Sequence, residues 1–184
     1  MRSIGCETIY GVDGEHKTPY LTRIWIGRLR LHIFHRGDAD PDCHDHPWDF
    51  WTFPLTSYVE EVALPARDTY AADDPAPPQR YYLARRLVPA FRWSYRPADY
   101  THRVLGRYDR MATLEAAMGA FVVGARRVPP LFMAGKIVTV VWQGRASRKW
   151  GFLRHRDGQW CWTPWRDYVF GGGKHAPCEP EGGA

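Results

Sequence analysis

The chain has 184 residues and a mass of 21.3 kDa, enough for one good core and short for two, so a single domain is expected. A hydrophobic fraction of 45% and an aromatic fraction of 15% exclude a disordered chain, and no apolar run approaches the ~20 residues that cross a bilayer. The net charge of +5 is carried mostly by arginine and forms no cluster long enough for nucleic-acid binding, so no nucleic-acid partner is expected, while a small anionic substrate is favoured.

The N-terminal stretch MRSIGCETIY lacks the apolar run of a signal peptide, and Cys6, Cys43, Cys161 and Cys178 show no CxxC spacing. A reducing, cytoplasmic setting is the expectation. Short β-branched and aromatic runs bounded by breakers then predict strands over 20–27, 28–36, 49–55, 57–64, 79–88, 91–97, 101–106 and 136–144. Many short strands with turn punctuation predict an all-β sandwich or barrel.

Two segments break that rhythm. Residues 65–78, rich in Ala, Asp and Pro, read as a surface loop, and 109–118 carry helix formers with apolar residues at helical spacing. One short helix is predicted there. Residues 119–135 either cover a pocket mouth or pack outside. The glycine-rich segment 171–184 has no apolar periodicity and is expected to be a flexible tail on a domain spanning 1–170.

The chemistry concentrates in CHDHPWDFW, residues 43–51. A strand sends alternate side chains to one face, so His44 and His46 point the same way, about 6.6 to 7 Å apart along the backbone, and can converge on one ion. Two imidazoles hold a divalent metal weakly, and a further ligand must come from elsewhere. His102, in RPADYTHRV, follows a tight turn into a strand that can run back beside the first.

An H-x-H pair followed later by a P-x-G-x-x-H element resembles the cupin family, whose small β-barrel holds a metal. Here the elements read His44-Asp45-His46 and Pro97 to His102, with Asp99 where the family has glycine. The HDHPW signature, the following YVEE, and the later RKWGF and WRDYV stretches resemble a subgroup of small bacterial and phage cupins. The resemblance runs from about Leu31 to Val169 and implies a single double-stranded β-helix, or jelly-roll barrel, with one short helical insertion. It also implies a divalent metal, Fe(II) first with Zn, Mn or Ni as substitutes, a small-molecule substrate, and a homodimer.

The family's usual acidic ligand falls here on Phe50, which cannot ligate. Asp49 is the rival carboxylate: strict alternation turns it outward, and a bulge at Pro47 would turn it inward. On the next strand either Glu60 or Glu61 reaches the interior, as ligand, as partner to a ligand, or as general base. His32 is a further candidate for acid–base work inside the barrel. Arg23, Arg92, Arg103 and Arg148 are candidates to hold a substrate carboxylate or phosphate. Asp38, Asp40 and Asp42 alternate as in a calcium loop, but Cys43 stands where that loop needs glycine, so they are expected to organise a turn.

Three activities remain open to the sequence. The first is an Fe(II)-dependent oxygenase in which open coordination positions take substrate and dioxygen. The second is a non-redox isomerase, epimerase or lyase, and the third is a ligand-binding barrel without turnover.

Overall fold

The computed structural model describes residues 4–13, 16–66, 80–122 and 128–178. Their strands are β1 (Ile4–Asp13), β2 (His16–Ile26), β3 (Leu29–Phe34), β4 (Cys43–His44), β5 (Phe50–Pro54), β6 (Tyr58–Pro65), β7 (Tyr81–Val88), β8 (Ser94–Arg96), β9 (His102–Tyr108), β10 (Phe132–Met133), β11 (Ile137–Gln143), β12 (Gly151–Arg156) and β13 (Gln159–Pro164). Two helices accompany them, α1 (Arg110–Val122) and α2 (Trp165–Phe170).

The strands form two antiparallel sheets. One runs β1-β2-β3-β11-β5-β8; the other runs β13-β12-β4-β9-β6-β7, with β10 added on β9. Each sheet mixes early and late parts of the chain, as a jelly roll requires, and the expected all-β double-sheet architecture is what forms. Its hydrophobic seam joins the sheets: Tyr58, Val88, Val104 and Ile137 pack as one buried cluster with Phe34 against it.

Two turns show why the hairpins close where they do. Ile26 pairs with Leu29 across Gly27-Arg28, and Arg156 pairs with Gln159 across Asp157-Gly158. Gly27, Asp157 and Gly158 have φ of 56°, 54° and 79°, the left-handed values that two-residue hairpin loops demand and that Gly and Asp tolerate. The predicted helix is present and longer than expected: Asp109 caps it, Oδ1 accepting the Ala112 N–H at 2.9 Å. Most of the predicted loop at 65–78 lies outside the described residues.

The C-terminal segment differs from expectation. Residues 171–178 are partly exposed but anchored, with Cys178 only 6% exposed and bonded to Cys161. Arg154 Nη1 donates to the Ala176 carbonyl at 2.5 Å, Arg156 Nη2 to the Lys174 carbonyl at 3.0 Å, and Lys174 pairs with Asp40 at 2.6 Å. Polar anchors and a crosslink hold this strap where apolar periodicity is missing, which is why composition alone did not show it; residues 179–184 lie outside the described ones.

Candidate metal centre

A cavity of about 730 Å³ lies between the sheets, lined on one side by β2, β3, β5 and β11 and on the other by His44, Tyr58, His102, Val104 and Phe152. His44, His46 and His102 meet at its wall, with one ring nitrogen of each within 4.8 Å of the others. β4 pairs with β9 so that His44 sits directly opposite His102. The strand ends after His44, and the His46 N–H then donates to the Ala98 carbonyl at 2.9 Å, which turns the second imidazole back toward the first.

The donors suit a divalent ion. His46 Nε2 and His102 Nε2 face each other at 3.1 Å, and two nitrogens at ~2.0–2.1 Å from one ion, set about 90–110° apart, lie roughly 3.0–3.4 Å from each other. Burial pushes His44 down to about 4. Burial, with His44 and His102 alongside, pushes His46 well below the ordinary imidazole value. Both rings are therefore neutral at physiological pH, the state in which imidazole ligates.

His102 is braced from behind. Its Nδ1 lies 2.9 Å from Glu60 Oε2, and Glu60 is 0% exposed. A carboxylate can only accept, so Nδ1 carries the proton and Nε2 presents its lone pair to the cavity. Burial alone would raise the Glu60 carboxyl; the His102 contact, Arg96 and Tyr100 together bring it below its usual range. Arg96 Nη2 approaches at 2.8 Å and the Tyr100 hydroxyl donates at 2.5 Å, supplying the partners that a buried charge needs.

A second carboxylate knot holds the H-D-H loop. Asp45, 2% exposed, accepts the Gly151 N–H at 2.7 Å and the Trp162 indole N–H at 3.0 Å, and pairs with Arg148 at 2.9 Å. The HDHPW and RKWGF stretches are thus two halves of one tie. Beyond it, Trp150 stacks on Trp165 with centroids 5.4 Å apart, and Phe152 stacks on Tyr168 at 3.8 Å, fixing the aromatic wall behind His44.

Several expected site residues stand elsewhere. Asp49 is exposed and its Oδ1 accepts the Ala98 N–H at 2.7 Å, so it stands apart, and among the described residues no carboxylate groups with the three imidazoles. Phe50 instead packs its ring 4.7 Å from that of His46, making this side of the site apolar. Glu60 sits behind His102 rather than in the cavity, so it positions a ring. Glu61 faces the other way, held by Arg103 at 2.7 Å, which removes both from the cavity. Arg148 is committed to Asp45, and Arg92 is exposed and does not line the cavity.

Among the expected residues, Arg23 and His32 do line the cavity. Arg23 Nε donates to Glu7 at 2.9 Å, which neutralises it in part. Burial, then the charges of Arg23 and Arg30, drive His32 down to about 3. Arg30, Arg36 and Lys174 also line the cavity and were not among the expected contacts. Alternation from His32 gives Arg30, but no sequence signal places Lys174 there, because the strap that carries it is fixed by tertiary contacts. Asp38 accepts the Val104 N–H at 2.7 Å and Asp42 pairs with Arg156 at 2.7 Å, so both bond across to neighbouring strands rather than capping a turn.

No family model and no curated protein matches the sequence. Among solved structures the chain is similar to a crystal structure of Fe(II)-HppE with the alternative substrate (S)-1-HPP, with 8% identity, a TM-score of 0.40, and coverage of 76% of this chain and 56% of that one. It is also similar to the DMSP lyase DddQ from Ruegeria pomeroyi DSS-3, with 13% identity, a TM-score of 0.33, and coverage of 80% and 50%. The chain therefore spans about half the length of each of these proteins. None of the described helices is long and apolar enough to cross a membrane.

Proposed function

We propose that this chain is a cupin-type metalloenzyme in which His44, His46 and His102 hold a divalent ion, Fe(II) first, and that it oxidises a small anionic substrate with dioxygen. One observation carries the reading: three imidazoles, two of them kept neutral by burial, converge on the wall of a large cavity with no carboxylate among them. An ion held there would supply a Lewis-acid centre with open coordination positions and, as Fe(II), a redox couple through which the substrate, which is itself oxidised, would give its electrons to dioxygen.

The chain's own residues do the rest. Glu60 fixes the tautomer and aim of His102. Phe50 and Phe152 keep water from two sides of the imidazoles, and Thr52 and Thr139 satisfy each other at 2.7 Å on the cavity floor. Arg23, Arg30, Arg36 and Lys174 outnumber Asp38 and Asp40 in the cavity lining, a net positive charge that suits a carboxylate or phosphonate.

A non-redox reading has one observation in its favour. His32 is neutral inside the same cavity and can accept a proton from a bound substrate, as an isomerase or lyase requires. The two readings separate in one experiment. Protein purified without chelator is analysed for metal, reloaded anaerobically with Fe(II), and assayed by oxygen electrode against a panel of small carboxylates and thiols. Oxygen uptake that depends on Fe(II) and vanishes in His102→Ala is the expected result. Equal turnover under argon, or with Zn(II) in place of Fe(II), overturns the oxygenase reading. Stoichiometric metal in all three of His44→Ala, His46→Ala and His102→Ala overturns the metal site itself.

A further inference from the structure

The strap that follows α2 borders the cavity and is fastened to the fold by one covalent bond. Tyr168 and Val169 of α2 and Lys174 of the strap belong to the cavity lining. Lys174 Nζ lies 6.0 Å from the centre of the Tyr168 ring, Tyr168 stacks on Phe152 at 3.8 Å, and the Phe152 ring stands 5.7 Å from that of His44. Through those two rings the strap backs the aromatic wall behind the imidazoles.

Little besides the crosslink keeps it there. From Gly171 to Cys178 only Cys178 is buried, and the rest are half-buried or exposed. The other ties are polar: Arg154 and Arg156 donate to strap carbonyls, Lys174 pairs with Asp40, and the Gly171 and Gly173 amides turn back onto the Asp167 carbonyl. Partly exposed ion pairs and amides of this kind contribute little against the entropy of a released segment. Cys161 sits in β13, whose register with β12 runs unbroken from Gly151 to Arg156. The bond therefore joins a weakly held segment to a strand that is secured without it.

We propose that the Cys161–Cys178 bond is a redox latch on the cavity. Oxidised, it holds the strap and Lys174 in the lining; reduced, it lets the strap leave, which opens the wall to solvent and withdraws one positive charge. This latch rests on the reading above, in which the cavity is the substrate site, and adds a regulation of that site. A dithiol supplies the step. Its thiolate attacks the sulfur of Cys161, the more exposed residue of the two, and Cys178 leaves as thiolate; the second thiol of the reductant then resolves the mixed disulfide. Two electrons and two protons pass to the protein, which gains two thiols, and the reductant departs as its own disulfide. Protein crosslinks exposed to a reducing compartment commonly serve as redox sensors. The separation of 17 residues spans the end of β13, α2 and the strap, so breaking the bond frees that loop and leaves strand order untouched.

Hydrogen exchange read by mass spectrometry on metal-free protein, oxidised and after dithiothreitol, is the test. With neither metal nor substrate present, its result is independent of which reaction the cavity performs. On reduction the amides from Gly171 to Cys178 are expected to exchange about 10- to 100-fold faster, the range that loop closure gives a short tether, while those of β9 and β11 keep their protection. Carbethoxylation of His32 by diethyl pyrocarbonate should quicken about tenfold alongside, because local opening exposes the cavity. Cys161→Ser reproduces both effects without reductant, and Cys178→Ser replaces it should the first variant fail to fold. Strap amides unchanged by reduction overturn the proposal. So do two thiols that stay alkylatable after a disulfide oxidant, protection lost in all strands together, or a freed strap that leaves His32 as slow as before. A failed oxygen-uptake assay beside the expected exchange pattern would reject the oxygenase reading and leave the latch standing.

Discussion

Two carboxylates are buried within a few residues of the imidazole cluster, and they do different things. Glu60 sees a histidine ring, a guanidinium and a phenol, and its carboxyl is held below the usual range. Asp45 is pushed up by burial, which the Gly151 N–H, Arg148 and Trp162 offset only in part. Glu60 is therefore arranged to stay charged and to aim a ligand, while Asp45 ties one loop to another sheet edge and tolerates an imperfect electrostatic setting. The difference lies in what each accepts from: three side chains beside the imidazoles for Glu60, or a backbone amide and an indole together with Arg148 for Asp45.

Removing each group should break that distinction or sharpen it. Asp45→Ala is expected to cost about 3 kcal/mol of metal-free stability in urea unfolding, because Arg148, Trp162 and the Gly151 amide lose their acceptor together. Cys161→Ser, or reduction, is expected to cost up to about 3 kcal/mol in the same assay, given the 17-residue separation of the crosslink. Because Trp162 neighbours Cys161, that variant also shows how far the Asp45 tie depends on the strap. Glu60→Gln should instead weaken metal affinity by about 10–100-fold in a chelator competition. Asp45→Asn, measured on folded protein, should stay closer to the parent affinity; equal losses in the two variants would erase the distinction.

His32 provides a histidine without a carboxylate behind it among the described residues. Its folded pKa of about 3 lies below the ordinary 6.5, so below pH 6.5 the unfolded chain takes up a proton that the folded chain refuses. Its contribution is fully present above about pH 6.5 and is lost on acidification toward pH 3, with a slope of at most about 1.4 kcal/mol per pH unit. Chelated protein unfolded at several pH values should show a slope shallower by that share in His32→Asn, with the share of His44 and His46 remaining. The smallest effect expected is Asp49→Ala, about 1 kcal/mol for one backbone amide left without its acceptor, with metal stoichiometry unchanged.

Part of this was legible in the residues. His44, His46 and His102 could be chosen because an H-x-H pair and a turn before a strand are local properties, whereas the place of Asp49 depends on a chain that leaves the strand after His44 and bends at Pro47-Trp48. The YVEE pair offered two glutamates of which one faces in. That Glu60 stops behind His102 follows from the β6–β9 register, which shifts between Val59 and Glu60, and no local pattern encodes it. The β12–β13 hairpin has a local signal, Asp157-Gly158 between alternating residues. The strap had none.

The amino-acid sequence alone determined the all-β class and the three imidazoles, because each rests on side-chain chemistry and a period of two along a strand. The tertiary structure decided which charges face the cavity, which carboxylate braces a ring and which ties a loop. Those outcomes depend on strand order and register, set by the packing of two whole sheets rather than by any stretch of the chain.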